Sequence, residues 1–203
     1  MNIIRKVLSG MAVSCATILI SFPTSAAPTA ATSGGFTSVQ LDAGFLAALT
    51  SLSVAPAAIS PGRIISRHNA VIAAFPITAG EADLGTVKAE IDHAGGLSLT
   101  GGGKVVQLTS FIIDLTGTAP VLTGLVTVND SLLGRVPLFD LNLAQSNVSA
   151  KDQLLKVKNV AVTLTDKAAA ALNGVFGITA LARGFPIGIA AVRARLDSGN
   201  EHD

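Results

Sequence analysis

Residues Phe75 to Leu115 read FPITAGEADLGTVKAEIDHAGGLSLTGGGKVVQLTSFIIDL, and this stretch alternates. Val87, Ala89 and Ile91 fall on one side, with Thr86, Lys88 and Glu90 on the other. The pattern stops at Ala94-Gly95-Gly96, resumes at Leu97 and Leu99, stops at Gly101-Gly102-Gly103, and resumes through Phe111, Ile113 and Leu115. Successive strand side chains point to opposite faces, so the alternation predicts antiparallel strands covering a core on one side. The glycine clusters are the turns, because glycine takes positive φ without steric cost.

Working outward, the same rhythm continues in both directions. Val39-Gln40-Leu41 predicts a short strand. Asp42 then caps a helix carrying Phe45, Leu46, Leu49 and Leu52 on one face. Pro56, Pro61 and Gly62 predict a loop between Ala57 and Asn69, and Ala70 to Ile77 leads into the central stretch. Beyond it, Val121 to Val128 and Val136 to Leu143 read as strands, with Pro137 marking an edge or a strand start. Leu155 and Val157 are one step out of phase with Val160, Val162 and Leu164, which calls for a bulge near Lys158-Asn159. Thr165 caps an alanine helix from Asp166 to Leu172, closed by Asn173-Gly174, and Ile187 to Leu196 is the last strand. The fold expected is an all-β antiparallel sandwich of about eight or nine strands with two short helices.

The chain contains an echo. Val39 to Leu49 (VQLDAGFLAAL) parallels Val162 to Leu172 (VTLTDKAAAAL), and each is followed by a Phe-Pro-Ile, at Phe75-Pro76-Ile77 and Phe185-Pro186-Ile187. A strand–helix unit used twice would make Leu49 and Leu172 equivalent buried anchors, with the helices plugging the two open ends of the sandwich.

Arg5 and Lys6, an apolar run from Val7 to Ile20, and Pro23-Thr24-Ser25-Ala26 read as a secretory signal peptide over residues 1–26. The alternative is a lipoprotein anchored through Cys15. Residues 27–35 read as a disordered spacer, 36–197 as the β domain and 198–203 as a frayed tail. An exported chain, secreted or in the cell envelope, follows, with no membrane span left after cleavage.

Both methionines and the single cysteine lie in that leader, and Trp and Tyr are absent, so the predicted mature chain offers no thiolate, thioether or tyrosinate ligand. Removing Arg5 and Lys6 from 14 basic residues leaves 12 against 13 acidic ones, a net charge of −1. No basic cluster is dense enough to pair with a nucleic-acid backbone. Charged residues are only 13% of the chain, so Ser, Thr, Gly and Ala must cover much of the surface.

Phe75-Pro76-Ile77-Thr78, Gly80, His93-Ala94-Gly95-Gly96-Leu97, Val136-Pro137-Leu138-Phe139-Asp140-Leu141 and Ala170-Ala171-Leu172-Asn173 resemble a group of secreted bacterial all-β proteins of unassigned activity. More distantly, the layout resembles HtaA-type domains, secreted modules that bind haem. That resemblance implies the architecture alone. Haem ligation in the family uses a tyrosine helped by a histidine, and this chain has no tyrosine.

Candidate chemistry is sparse. Glu90, Asp92 and His93 lie together near a predicted hairpin tip and could bind a metal; the competing reading is Asp92 and His93 hydrogen-bonding to the turn backbone. Arg63, Arg67 and His68 sit in the expected inserted loop, where they would contact an anionic partner such as an envelope polymer or an acidic protein surface. Gly101-Gly102-Gly103-Lys104 is a turn and not a phosphate loop, since Val105 follows the lysine and a strand follows in place of a helix. The function expected is a non-catalytic extracellular or envelope binding or structural module without a cofactor. The alternative is a carrier of an apolar ligand (lipid or haem-like) lined by Phe45, Phe75, Phe111, Phe139, Phe176 and Phe185, with a hydrolase as the third reading.

Overall fold

The computed structural model describes residues 29–86 and 88–197. The expected leader with Cys15, the tail 198–203 and Val87 lie outside these residues. In chain order the elements are β1 (Thr29–Leu41), α1 (Ala43–Ser51), β2 (Ala55–Ile59), β3 (Arg63–Arg67), β4 (Ala70–Asp83), β5 (Ala89–His93), β6 (Gly96–Gly101), β7 (Lys104–Asp114), β8 (Val121–Val128), β9 (Ser131–Asn142), β10 (Asn147–Lys151), β11 (Leu154–Leu164), α2 (Asp166–Phe176) and β12 (Pro186–Leu196).

Eight of these strands close on themselves. The antiparallel order β7-β5-β4-β1-β12-β11-β9-β8 returns to its start through β7–β8 pairing, from Val106 opposite Val128 to Asp114 opposite Val121. The expected sandwich is therefore corrected to a β-barrel with added strands. A sandwich and a barrel both bury one face of each strand, so alternation alone does not distinguish them. Closure does, because it satisfies the edge strands that two separate sheets would leave open. Four strands lie outside the ring: β2 extends β6, β3 pairs with β4, β10 pairs with β11, and β6 continues the line of β5 along β7.

The first strand overturns the expected spacer from Thr29 onward, residues 27 and 28 lying outside the described residues. Thr29, Ala30 and Ala31 pair with Asp83, Ala82 and Glu81 of β4, so the small polar run through Gly35 is the start of β1. A Cβ at Gly35 would overlap the carbonyl oxygen of Arg193 on β12. Similarly, the expected loop from Ala57 to Asn69 is largely β2 and β3. Their connecting turn packs Gly62 against Gly95 and Gly96, at the break between β5 and β6.

Other local expectations hold. Asp42 accepts from the N–H groups of Gly44 and Phe45, and Thr165 from that of Ala168. α2 runs on to Phe176 and ends at Gly177 with φ 66°, three residues past the expected Asn173-Gly174 stop. Gly102 and Gly103 take φ 55° and 72° in the β6–β7 hairpin. The β11 bulge lies between Val157 and Val160, with Asn159 at φ 60°. Pro137, expected at an edge or a strand start, lies instead in the middle of β9 within the ring, at a register shift opposite Thr123, one of the few places a sheet accepts a residue without an N–H.

The helices do not plug opposite ends. β1 and β11 flank β12, and Leu41 and Val162 both pair with Gly188, so α1 and α2 leave from the same end of the barrel. The echoed strand halves match in burial, at Val39, Leu41, Val162 and Leu164. The echo weakens further on. Leu49 is buried but Leu172 only half-buried, and Phe75-Pro76 lies within β4 whereas Phe185-Pro186 straddles the start of β12.

Candidate functional site

The inward side chains of the ring do not fill it. They enclose a chamber of about 450 Å³, lined almost wholly by aliphatic and phenylalanine side chains. Phe75 and Phe111 meet edge to face within it, with ring centroids 4.9 Å apart and planes at 78°. Phe45 from α1 and Ala168, Leu172 and Val175 from α2 line it near the end where both helices begin. Four of the six expected phenylalanines contribute, Phe45, Phe75, Phe111 and Phe139; Phe176 and Phe185 pack on the core without lining the chamber. Gly124 faces inward on β8, where a Cβ would crowd Leu138 and Phe111.

One polar pair is buried in this lining. Thr37 (β1) and His93 (β5) are 2% and 5% exposed, and Thr37 Oγ1 lies 2.7 Å from His93 Nε2. The bond reaches over β4, where Phe75 pairs with Thr37 and Ile77 with His93. His93 Nδ1 lies 3.2 Å from the carbonyl oxygen of Phe111 on β7. A carbonyl only accepts, so Nδ1–H donates to Phe111 and Nε2 accepts from the Thr37 hydroxyl. Burial is the largest influence on the imidazole and pushes its pKa below the ordinary value; the Phe111 carbonyl and the Asp92 carboxylate pull the other way. The ring is a neutral, positioned hydrogen-bonding group inside an apolar space.

Asp83, Leu84 and Lys88 contribute to the lining from the β4–β5 turn. Asp83 accepts from the Thr86 hydroxyl at 2.5 Å and from the N–H groups of Gly85 and Thr86, which hold its carboxyl below the usual range. Lys88 Nζ donates to the carbonyls of Thr116 and Gly117. These contacts tie the β4–β5 turn to the β7–β8 connection and give the chamber a fixed rim.

The metal reading of Glu90, Asp92 and His93 is corrected. Ala89, Ile91 and His93 point inward while Glu90 and Asp92 point out, so the wall of the barrel divides the three. Among the described residues no group of three His, Cys, Asp or Glu is placed to hold a metal ion. His93 is also no turn-capping residue, since its partners are on β1 and β7. Arg63 and Arg67 stand exposed on the outer face of β3, and His68 occupies the β3–β4 turn with φ 47°. None of the three lines the chamber. Thr37 carries no signature motif; its only signal in the sequence is a polar residue at an inward position, in phase with Val39 and Leu41.

The architecture has solved counterparts. The chain is similar to the C-terminal domain of HtaA from Corynebacterium glutamicum, with a TM-score of 0.63 and 17% identity over 83% of this chain and 99% of that one. It is also similar to the haem-binding protein HtaB from Corynebacterium glutamicum, with a TM-score of 0.58 and 10% identity over 84% and 96% of the two chains. The layout is thus HtaA-like, as the sequence resemblance implied. No protein-family model matches the chain, and no curated protein matches it in sequence.

Proposed function

We propose that the protein is an exported binding module that carries one apolar small molecule, such as a lipid acyl chain, inside the barrel. The observation that carries this reading is the chamber of about 450 Å³ with a single buried polar pair. That volume falls in the usual range of small-molecule sites, which are mostly apolar with a few placed polar groups. A close-packed core, by contrast, leaves few voids larger than a water molecule. The similarity to a haem-binding protein favours binding over catalysis. The Thr37 hydroxyl, which donates to His93 Nε2, keeps an oxygen lone pair that can accept from one hydroxyl of the guest.

Haem itself does not fit these residues. The described residues hold no tyrosine, cysteine or methionine. His93, the one histidine that lines the chamber, has Nε2 engaged by Thr37 and Nδ1 by the Phe111 carbonyl. An axial ligand needs a free lone pair, and neither nitrogen presents one. The guest expected is a metal-free apolar molecule.

Native mass spectrometry of protein purified from its own host, together with titration of the neutral probe N-phenyl-1-naphthylamine, tests the proposal. The expected result is a co-purified apolar molecule and one saturable probe site. Ala73→Phe, which pushes a ring into the chamber from β4, should abolish probe binding while the variant still melts cooperatively. Absence of probe binding by the wild type, or equal binding by a folded Ala73→Phe variant, overturns the carrier reading.

A further inference from the structure

The outer face of the barrel carries a second hollow, unconnected with the chamber chemistry. It measures about 420 Å³ and spans β4, β1, β12 and β11. Its floor includes Phe36, Ile72 and Ile189, and its cationic side Lys156, Lys158 and Arg193. Phe36 and Ile189 are 45% and 48% exposed, so the floor of the hollow presents apolar surface to solvent. The register explains the cluster. Phe36 lies opposite Pro76 on one side and Arg193 on the other, Arg193 lies opposite Lys156, and Gln40 lies between Ile72 and Ile189. The β11 bulge at Lys158-Asn159 borders the hollow on one side.

No carboxylate contributes to this hollow. None of its three cations forms an ion pair among the described residues, where the one ion pair is Arg183 with Asp140. The positive field extends onto neighbouring strands. Arg195 follows Arg193 on the outer face of β12, while Arg63 and Arg67 share the outer face of β4 through the β3 ladder. A chain whose charges nearly balance has thus gathered unpaired cations around exposed phenylalanine and isoleucine on one wall.

We infer that this wall docks the protein on an anionic lipid bilayer, with Phe36 and Ile189 entering the headgroup region and Lys156, Lys158 and Arg193 meeting lipid phosphates. Charge complementarity selects this occupant. A basic surface is drawn to anionic headgroups within a Debye length, and apolar side chains among the cations gain by burial at the acyl boundary. A second copy of the chain would bring the same cations face to face. An acidic polymer would satisfy the cations but leave the apolar floor in water. Docking does not depend on whether the chamber holds a guest.

The chain has no tryptophan and no tyrosine, so a single introduced tryptophan reports its own surroundings without background. Phe36→Trp places that reporter in the hollow, and Leu132→Trp places it at an exposed site on β9 that does not line the hollow. Both full-length variants are titrated with phosphatidylcholine vesicles and with equimolar phosphatidylcholine–phosphatidylglycerol vesicles carrying brominated acyl chains. Emission of the Phe36→Trp variant should shift to the blue and be quenched by the anionic vesicles only, and the change should reverse at high salt. Adding Lys156→Glu, Lys158→Glu and Arg193→Glu should weaken this response about tenfold or more. The inference is overturned if the Phe36→Trp variant does not respond or if the Leu132→Trp variant responds equally. It fails as well if the charge reversals have no effect, or if soluble polyglutamate shifts the emission of the Phe36→Trp variant as strongly as the vesicles do.

Discussion

Thr37 Oγ1 and His93 Nε2 are joined by a 2.7 Å hydrogen bond that reaches across the inner face of β4, between two strands that are not neighbours. With Nδ1 committed to the Phe111 carbonyl, the imidazole is a neutral link between β1, β5 and β7. Protonating it would place a cation among apolar side chains and turn its Nε2 acceptor into a donor facing a hydroxyl.

A pH dependence follows, with a definite sign. The folded-state pKa of His93 lies below the unfolded value of about 6.5, so below that pH the unfolded chain binds more protons than the folded one. Stability from this residue is therefore fully present above about pH 6.5 and falls as pH drops towards the folded pKa. The slope reaches at most about 1.4 kcal/mol per pH unit. Urea unfolding at pH 7 and pH 5 measures it. His93→Gln, which lacks the titrating group, should lose most of the difference between the two.

Phe111 is the largest of the most deeply buried side chains, at 2% exposure, and stacks edge-on against Phe75. Phe111→Ala removes this contact and widens a chamber that is already hollow, so the wall has little to collapse onto. The expected loss is about 3–5 kcal/mol, read from denaturant midpoints. The fluorescence of N-phenyl-1-naphthylamine should rise in the variant if it remains folded, because the probe gains room.

The strand–helix echo predicts an asymmetry in place of an equivalence. Leu49 is 7% exposed and Leu172 half-buried, while the buried positions of α2 are Ala168 and Ala169. Leu49→Ala should cost about 2–5 kcal/mol. Leu172→Ala should cost about half as much, in proportion to the apolar area each removes from the core. Equal losses would restore the two leucines as true counterparts.

Much of the architecture was legible from local chemistry. Caps at Asp42 and Thr165, the glycine hairpin at Gly102-Gly103 and the β11 bulge depend on neighbouring residues, so the sequence displays them directly. Closure was not legible. It depends on β7 meeting both β5 and β8 along one strand, a non-local relation that alternation does not encode. The small-residue run at Thr29–Gly35 misled because low hydrophobicity suggests disorder, whereas here it permits the close approach of Gly35 to Arg193. The site had one trace in the sequence. Thr37 and His93 each occupy an inward phase otherwise held by Val39, Leu41, Ala89 and Ile91, and a polar residue in such a place needs a buried partner. The glutamate and aspartate beside His93 drew attention to sequence proximity, although strand parity sends them outward.

β1 also provides an internal control for the polar pair. Thr32 and Thr37 are both buried, at 4% and 2% exposure, but only Thr37 has a hydrogen-bond partner for its hydroxyl; Thr32 Oγ1 has none among the described residues. Valine replaces threonine with little change in shape, so the two substitutions isolate the hydroxyl. Thr37→Val strands the Nε2 lone pair of His93 in an apolar wall and should cost about 1–3 kcal/mol, the penalty for leaving a buried acceptor unmade. Thr32→Val removes an orphan and leaves none behind, so it should be neutral or stabilising by up to about 1 kcal/mol. Thermal and urea unfolding of the two variants at neutral pH compares them directly. Equal destabilisation would mean that the Thr37–His93 hydrogen bond does not set the two positions apart.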